Sequence, residues 1–391
     1  MLVAECSFNL MKKVLLLVLL IFYFVYTSIG NQSVFEKSEE EKKYFKNINF
    51  RVENGKMLNN GTQEGEKVVN SYKNKGLDVR LEFRKTNQND IYSNIYRYPY
   101  MGIGWYTATF YDSAIGKPRG LYYFLTIPMK SDGYKKFSLS YSGAFGLSYH
   151  FNPFDSIQNP ANIFIGSKLN CYVHLGLEAD YKISEKWHAN ASLGFKHFSN
   201  GSIKKPNYGI NLIPVTFGIR YKFGSEQVQL NPIPIPEFIR YNLFNVMLAF
   251  GSKNYEYNNP NYFKMTFGLN YLKAINYKYR IGIGIDMFYS AKPYLRTKPY
   301  QSGSIDAISV AVVPNWEWVV SEKIYIPLGI GIYLYHNDFN SEGSLFYERI
   351  GIRYRITNHI TAGISIKAHK ESADFFEWTL GCTFHNDKNR Y

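Results

Sequence analysis

The sequence has almost no cysteine and, beyond its N-terminus, no long apolar run. Its three cysteines are Cys6, Cys171 and Cys382, and the first lies within or before the N-terminal apolar segment. Two remaining thiols far apart in sequence do not indicate a disulfide framework. No later stretch approaches the roughly 20 apolar residues that a membrane helix needs. Any membrane embedding must therefore be as a β-barrel, because only helices and closed barrels satisfy their backbone polar groups in lipid.

Signatures of several function classes are also missing. The chain shows no zinc, phosphate-loop or dinucleotide motif, so we expect no metal and no cofactor. Its formal charge is +14, but the Lys and Arg residues are scattered and form no basic helix or stripe. We therefore do not expect nucleic-acid binding. A cationic surface is instead compatible with anionic lipid phosphates.

The N-terminus is typical of an exported protein. Met11-Lys12-Lys13, an apolar stretch at 14–25 and Ser28-Ile29-Gly30 resemble the three parts of a secretory signal peptide, which we assign to residues 1–30. Residues 31–76 are rich in Lys, Glu, Asn and Gly and are interpreted as a flexible periplasmic leader. The barrel is assigned to residues 77–391. Export and a barrel together predict the outer membrane of a Gram-negative bacterium, reached after signal-peptide cleavage.

From about residue 100 onward, polar and apolar residues alternate with a period of two. Ile281, Ile283 and Ile285, for example, are interleaved with Gly282 and Gly284. The pattern predicts an all-β, transmembrane, antiparallel up-and-down barrel of about 14 strands, with about 12 as the alternative. Short connections at 184–186, 321–323 and 357–359 alternate with long ones at 151–167, 200–209, 291–304 and 337–343. Because outer loops are the longer ones, the long connections are placed outside the cell.

Three polar residues occupy an apolar phase in the segment 187–223. The outward face of the first strand runs through Trp187, Leu193 and Phe195 and then continues to His197 and Ser199. Side chains on a strand alternate between faces, so these last two share the lipid-facing side, with Cα atoms about 6.5 to 7 Å apart. The apolar phase of the next strand begins with Asn211 by the same count of two. The three polar groups therefore lie near one end of adjacent strands.

This arrangement predicts nucleophilic ester chemistry. A serine hydroxyl needs a neighbouring imidazole to take its proton, and a third group to orient that imidazole. We assign these roles to Ser199, His197 and Asn211. The connecting loop supplies candidate oxyanion donors in Gly201 and Asn207, and Lys204 and Lys205 are weaker candidates for binding a substrate phosphate.

Further histidines and carboxylates fall in the lumen phase and are expected to form a hydrogen-bonded plug rather than a metal site. They are His174, His188, His369, Glu178, Glu377 and Asp286.

Two motifs carry a family resemblance: His197-Phe198-Ser199-Asn200-Gly201, and Pro206-Asn207-Tyr208-Gly209-Ile210-Asn211. Together they resemble the lipid A 3-O-deacylase family, and most closely its longer Bacteroidetes branch, the acyloxyacyl hydrolases. The resemblance extends to 100–128, 151–153, 348–354, 367–369 and 373–378. It implies an outer-membrane serine esterase that hydrolyses an ester-linked acyl chain of lipid A, with His197 as base, Ser199 as nucleophile and Asn207 near the oxyanion. The family usually has a glutamate where this chain has Asn211.

Two alternatives stay open at this point. Outer-membrane phospholipase A also uses His-x-Ser with an asparagine at similar spacing, but it needs calcium, and no Asp or Glu lies between Ser199 and Asn211. A non-enzymatic barrel, either a porin or a structural protein, is the other alternative. The expected partners are lipid A or another membrane lipid and the outer membrane itself, and a homodimer is left open.

Overall fold

We describe a computed structural model of the 391-residue chain. It describes residues 44–59, 73–85, 90–110, 113–130, 136–223, 234–291, 307–336, 342–370 and 372–385. The signal peptide expected at 1–30 lies outside these ranges. None of the helical segments within them is long and apolar enough to cross a membrane.

The first half of the chain forms a closed barrel of eight antiparallel strands, in which β1 pairs with both β2 and β8. One short helix, α1 (Ile91–Ile95), precedes the third strand, and Asp90 caps its N-terminus. The strands are β1 (Tyr44–Met57), β2 (Lys73–Lys85), β3 (Tyr100–Thr109), β4 (Gly116–Pro128), β5 (Phe137–Phe151), β6 (Asn170–Lys182), β7 (Trp187–Ser199) and β8 (Ile210–Phe223).

The second half forms another closed barrel of eight antiparallel strands, in which β9 pairs with both β10 and β16. Its strands are β9 (Tyr241–Asn254), β10 (Asn261–Ala274), β11 (Tyr279–Ser290), β12 (Ile308–Val319), β13 (Ile324–Tyr335), β14 (Phe346–Arg355), β15 (Ile360–His369) and β16 (Ser372–His385). We call the end of the first barrel that carries the connection 200–209 its loop end, and likewise the end of the second barrel that carries 255–260. The opposite end of each barrel is its turn end.

The expected architecture was right in class and wrong in number. The fold is an all-β set of antiparallel up-and-down strands, but the described residues contain 16 strands in two barrels, rather than about 14 in one. The leader expected at 31–76 is also wrong in part, since Tyr44–Met57 is strand β1 and Lys73–Lys85 is strand β2. Counting from residue 100 omitted these two strands. The closures β1–β8 and β9–β16 join segments far apart in sequence, which local alternation does not reveal.

Both barrels place apolar side chains outside and charged ones inside. On β1, Phe50 and Val52 are more than half exposed, whereas Arg51 and Glu53 are buried. A lipid-facing exterior explains this inversion, because exposed apolar side chains are stable in hydrocarbon and charged ones are not. The alternation predicted from about residue 100 onward is confirmed on β11, for example, where Ile281, Ile283 and Ile285 are exposed.

The lumen of the first barrel is filled by a network of ion pairs. Arg220 contacts Glu82, Glu178 and Asp180, and Arg51 lies 3.7 Å from both Asp78 and Glu178. Lys196 pairs with Glu53 at 2.5 Å. Buried charges of opposite sign stabilise one another where water is scarce, so the network ties β1, β2, β6, β7 and β8 together.

The two barrels also contact each other at the turn end. Around α1, Tyr96 donates a hydrogen bond to the carbonyl oxygen of Val319 at 2.5 Å and accepts one from the indole of Trp318 at 2.7 Å. Tyr92 packs edge-on against Tyr277, with ring centroids 6.4 Å apart. Burial of these aromatic rings joins α1 and the residue after it to the end of β12 and to the turn between β10 and β11.

Candidate active site

The predicted catalytic residues meet at the loop end of the β7–β8 hairpin. His197 on β7 and Asn211 on β8 are directly opposite in the register, and Ser199 is the last residue of β7. Because residues two apart on a strand share a face, His197 and Ser199 project on the same side. One hairpin therefore positions all three side chains.

Two hydrogen bonds connect the three side chains in series, with His197 in the middle. Nε2 of His197 lies 2.8 Å from Oγ of Ser199, and Nδ1 of His197 lies 2.6 Å from Oδ1 of Asn211. Since an amide oxygen can only accept, Nδ1 must carry the proton and donate it to Asn211. Nε2 is then unprotonated and accepts from the Ser199 hydroxyl, which is the arrangement that a general base needs.

The outward phase predicted for this pair is also observed. Phe198 between them is fully buried in the lumen, as is Lys196 before them. On the outward face, Phe195 is 39% exposed and its ring stacks with the imidazole of His197, at a centroid distance of 6.4 Å and 12° between the planes. Ser199 is buried. The serine therefore lies at the loop end of an apolar outer surface.

The loop 200–209 is organised around Asn200. Its backbone N–H donates to Oδ1 of Asn207 at 2.8 Å, and its side-chain amide donates to Ser167 at 2.8 Å and to the carbonyl oxygen of Lys204 at 2.9 Å. The bond to Asn207 leaves that residue's Nδ2 group without a partner among the described residues, and the N–H of Gly201 likewise has none there. Both candidate oxyanion donors are therefore uncommitted.

Gly209 has a role that the sequence reasoning missed. Its φ is +77°, a conformation that side chains disfavour, and a Cβ atom built on it would lie 2.7 Å from Cε1 of His197. Its N–H also donates to the carbonyl oxygen of Phe164 at 3.1 Å. Only glycine leaves room for the imidazole here. The signal available in the sequence was a glycine directly before a strand. The contact between Asn200 and Ser167 gave no such signal, because no sequence motif indicates it.

The two loop lysines occupy different environments. Lys204 is exposed, whereas Lys205 is half-buried and its Nζ lies 3.5 Å from Oγ of Ser202. Burial lowers the pKa of Lys205, and the positive charge of Lys253 on the second barrel lowers it further. Of the two, Lys204 is the better placed to meet a ligand from the solvent side.

The lumen histidines and carboxylates lie where the alternation placed them. His174, Glu178, Glu377 and Asp286 are buried, and His188 contacts Asp180 at 2.7 Å. Within the described ranges, one group of possible metal ligands is formed by Glu342, His369 and Asp374 inside the second barrel.

That group does not fit a metal ion. Lys367 lies 2.8 Å from Glu342 and 3.2 Å from Asp374, and Lys253 also pairs with Asp374. With lysine ammonium groups on both carboxylates, the charge that a cation would need is already balanced.

Two family models match the chain, one for each barrel. Residues 78–220 match the model described as "Lipid A 3-O-deacylase (PagL)", and residues 242–386 match "Acyloxyacyl hydrolase, C-terminal domain". The first match contains His197, Ser199 and Asn211.

The chain belongs to the lipid A 3-O-deacylase family. It is therefore an outer-membrane ester hydrolase that removes an ester-linked acyl chain from lipid A, and the alternative of a non-enzymatic barrel is not supported. The connections 151–167 and 200–209, which the sequence analysis placed outside the cell, lie at the loop end.

No curated protein matches the sequence. Among solved structures, the chain is similar to the Acinetobacter baumannii outer membrane protein Omp33, with 8% identity over 87% of this chain and 98% of that chain and a TM-score of 0.15. It is also similar to the transport unit of the Escherichia coli autotransporter AIDA-I, with 10% identity over 93% and 97% and a TM-score of 0.19. Similarities at such TM-scores carry no argument about this chain.

Proposed function

We propose that the deacylase works through Ser199 as nucleophile, His197 as general base and Asn211 as the group that orients the imidazole. The observation that carries this proposal is the pair of hydrogen bonds, 2.8 Å from Nε2 to Ser199 and 2.6 Å from Nδ1 to Asn211. Together they fix one tautomer of the imidazole, with its free lone pair on the serine hydroxyl.

In the first half of the reaction, Oγ of Ser199 attacks the ester carbonyl carbon while Nε2 of His197 takes the hydroxyl proton. The negative charge then moves to the carbonyl oxygen, where the uncommitted N–H of Gly201 and the Nδ2 group of Asn207 supply hydrogen bonds. Collapse of the tetrahedral intermediate breaks the bond to the lipid A oxygen. His197 returns its proton to that oxygen, which leaves as a hydroxyl on the shortened lipid.

In the second half, a water molecule attacks the acyl group on Ser199. His197 takes a proton from the water, the bond to Oγ breaks, and the same proton returns to Ser199 as the fatty acid leaves. The exposed apolar surface that ends at Phe195 is continuous with the bilayer, so the substrate's acyl chains need not leave the hydrocarbon to reach the serine.

Asn211 stands where the family usually has a glutamate. An amide oxygen fixes the tautomer as a carboxylate does, but it lacks the negative charge that stabilises the imidazolium formed during the reaction. We therefore infer that this enzyme keeps the geometry of the triad while contributing less electrostatic stabilisation. Lys204 is proposed to bind a phosphate of the substrate, with Lys205 as a weaker second candidate.

Export by cleavage of a signal peptide at about residue 30 stays part of the proposal. The homodimer stays an open alternative. The Gram-negative origin expected from the sequence follows from the same reasoning, because lipid A is the anchor of that outer membrane's outer leaflet.

The test is mass spectrometry of lipid A and phospholipids from cells that express the wild type or Ser199→Ala. Loss of one acyl mass from lipid A with the wild type alone is the expected result. Lysophospholipid in place of shortened lipid A would favour the phospholipase alternative. Shortened lipid A with both proteins would contradict the role of Ser199, provided that Ser199→Ala still gives a folded barrel in unheated electrophoresis.

A further inference from the structure

The middle of the catalytic loop is held by the second barrel as well as by the loop's own bonds to Asn200. Oγ of Ser202 donates a hydrogen bond to the carbonyl oxygen of Ala373 at 2.6 Å, and the backbone N–H of Asn254 donates to the carbonyl oxygen of Ser202 at 2.7 Å. Asn254 is the last residue of β9, and Ala373 is near the start of β16. The loop of the catalytic hairpin thus spans from one barrel to the other.

The second barrel also packs closely against the start of this loop. A Cβ atom on Gly201 would lie 2.2 Å from the ring of Phe376, which is on β16. Ser202 is fully buried. The turn is therefore packed closely against β16 of the second barrel.

Two consecutive residues of this turn have left-handed backbones, with φ of +61° at Gly201 and +63° at Ser202. For a residue with a side chain, this conformation is strained, so it persists only where surrounding contacts favour it. The contacts that favour it at Ser202 come from Ala373 and Asn254.

The side chain of Asn254 makes a further contact with the loop. Its Oδ1 accepts from the backbone N–H of Lys205 at 3.3 Å, while its Nδ2 donates to the carbonyl oxygen of Asn259 at 2.6 Å. The second bond fixes which end of the amide faces the loop. Asn254 is buried, so a lost bond here would leave a polar group unsatisfied.

The path from Asn254 to the reacting atoms is short. Lys205 lies two residues before Asn207, whose Oδ1 is bonded to the N–H of Asn200, the residue directly after Ser199. A shift of Lys205 would displace Asn207 and the adjoining peptide, both of which face the developing oxyanion in the mechanism above. Misplacement of such groups by about 1 Å costs on the order of a hundredfold in rate.

We propose that the second barrel serves catalysis by holding the loop of the catalytic hairpin in its working conformation, with Asn254 as the positioning residue. The expected loss of rate rests on the proposed role of Ser199, whereas the expected change in loop conformation does not. The first barrel carries the reacting groups, and the second keeps the oxyanion donors in place.

The experiment compares Asn254→Leu with Asn315→Leu in the full-length protein in detergent micelles. Asn315 is a matched control, because it is a half-buried asparagine of the same barrel whose amide bonds to Asn270 at 2.6 Å and not to the loop. Three quantities are measured on folded protein: hydrogen exchange of the peptide covering 200–209, kcat and KM on lipid A, and the rate of Ser199 labelling by a fluorophosphonate.

We expect Asn254→Leu to accelerate exchange in the loop and to lower kcat about fivefold at a KM within about twofold of wild type, the factor that corresponds to one hydrogen bond of about 1 kcal/mol. Fluorophosphonate labelling should slow by a similar factor, and Asn315→Leu should change none of the three. Ser202→Ala, which removes the bond to Ala373, should repeat the effect and substitutes for Asn254→Leu if that variant does not fold.

Unchanged exchange in both loop variants would overturn the proposal. Faster exchange with unchanged kcat and labelling would overturn the catalytic part of it. If the wild type neither cleaves lipid A nor reacts with the fluorophosphonate, the proposed function fails, and the exchange data alone then decide whether the second barrel holds the loop.

Discussion

Gly209 offers a sharp test of the site geometry, because a single methyl group there acts on His197. In Gly209→Ala, the new Cβ would lie 2.7 Å from Cε1 of His197, whereas an ordinary contact begins at 3.4 Å. The imidazole must therefore move by about 0.7 Å, the difference between these distances. Such a shift would lengthen the 2.8 Å bond to Ser199 toward about 3.5 Å, where it ceases to be a hydrogen bond.

We expect kcat of Gly209→Ala on lipid A to fall roughly a hundredfold, in line with the cost of misplacing a catalytic group by about 1 Å. The φ of +77° should also reduce the free energy of unfolding by about 1–2 kcal/mol. Gly116→Ala is the control, since Gly116 has φ of +86° at the same end of the same barrel and its Cβ would meet Asn152 rather than the site.

Both variants should thus lose similar stability in urea unfolding, and only Gly209→Ala should lose activity. Activity of Gly209→Ala above half of the wild-type value would refute the geometry. An equal loss in Gly116→Ala would show that strain in the barrel, and not the position of His197, determines the rate.

The remaining predictions concern the base, the lumen and the substrate phosphate. Asn211→Leu should lower kcat roughly a hundredfold or more, because the tautomer of the imidazole is no longer fixed. The kcat of Asn211→Asp should equal or exceed that of the wild type, and the reverse order in steady-state kinetics would contradict the assignment. Arg220→Met removes the guanidinium that pairs with Glu82, Glu178 and Asp180 and should cost about 3–5 kcal/mol in urea unfolding, while the exposed Arg240→Met should stay within about 0.5 kcal/mol. Lys204→Gln should raise KM about two- to fivefold on phosphorylated lipid A and leave it unchanged on dephosphorylated lipid A; an equal change on both would exclude a phosphate contact.

The catalytic hairpin was predictable because its information is local. Alternation alone gives the faces of β7 and β8, and the observed register places His197 directly opposite Asn211. The outward exposure of Leu193 and Phe195 and the burial of Lys196 follow the same period of two. Barrel strands with one apolar face carry this signal residue by residue.

Barrel closure was not predictable by the same means. In β1, Ile48, Phe50 and Val52 alternate with buried polar residues, so the strand signal was present, but the abundance of Asn, Lys and Glu favoured a leader. Whether eight strands close or continue depends on the pairing of β1 with β8, for instance Phe50 opposite Ile219. Contacts between such distant segments leave no periodic trace in the sequence. The contacts of Asn254 and Ser202 are hidden for the same reason.

The hairpin carries a consequence for how activity depends on folding. Fourteen positions separate His197 from Asn211, and β8 is held in register by β7 on one side and by β1 on the other. A slip of two residues between β7 and β8 would preserve every inward and outward face, and so the lipid-compatible surface, yet it would move Asn211 away from the imidazole. Such a barrel would insert in the membrane and be inert. Hydrolysis is therefore a direct readout of the strand register of the closed barrel. It would distinguish molecules in the native register from inserted molecules in a shifted register, which every measure of insertion would count as folded.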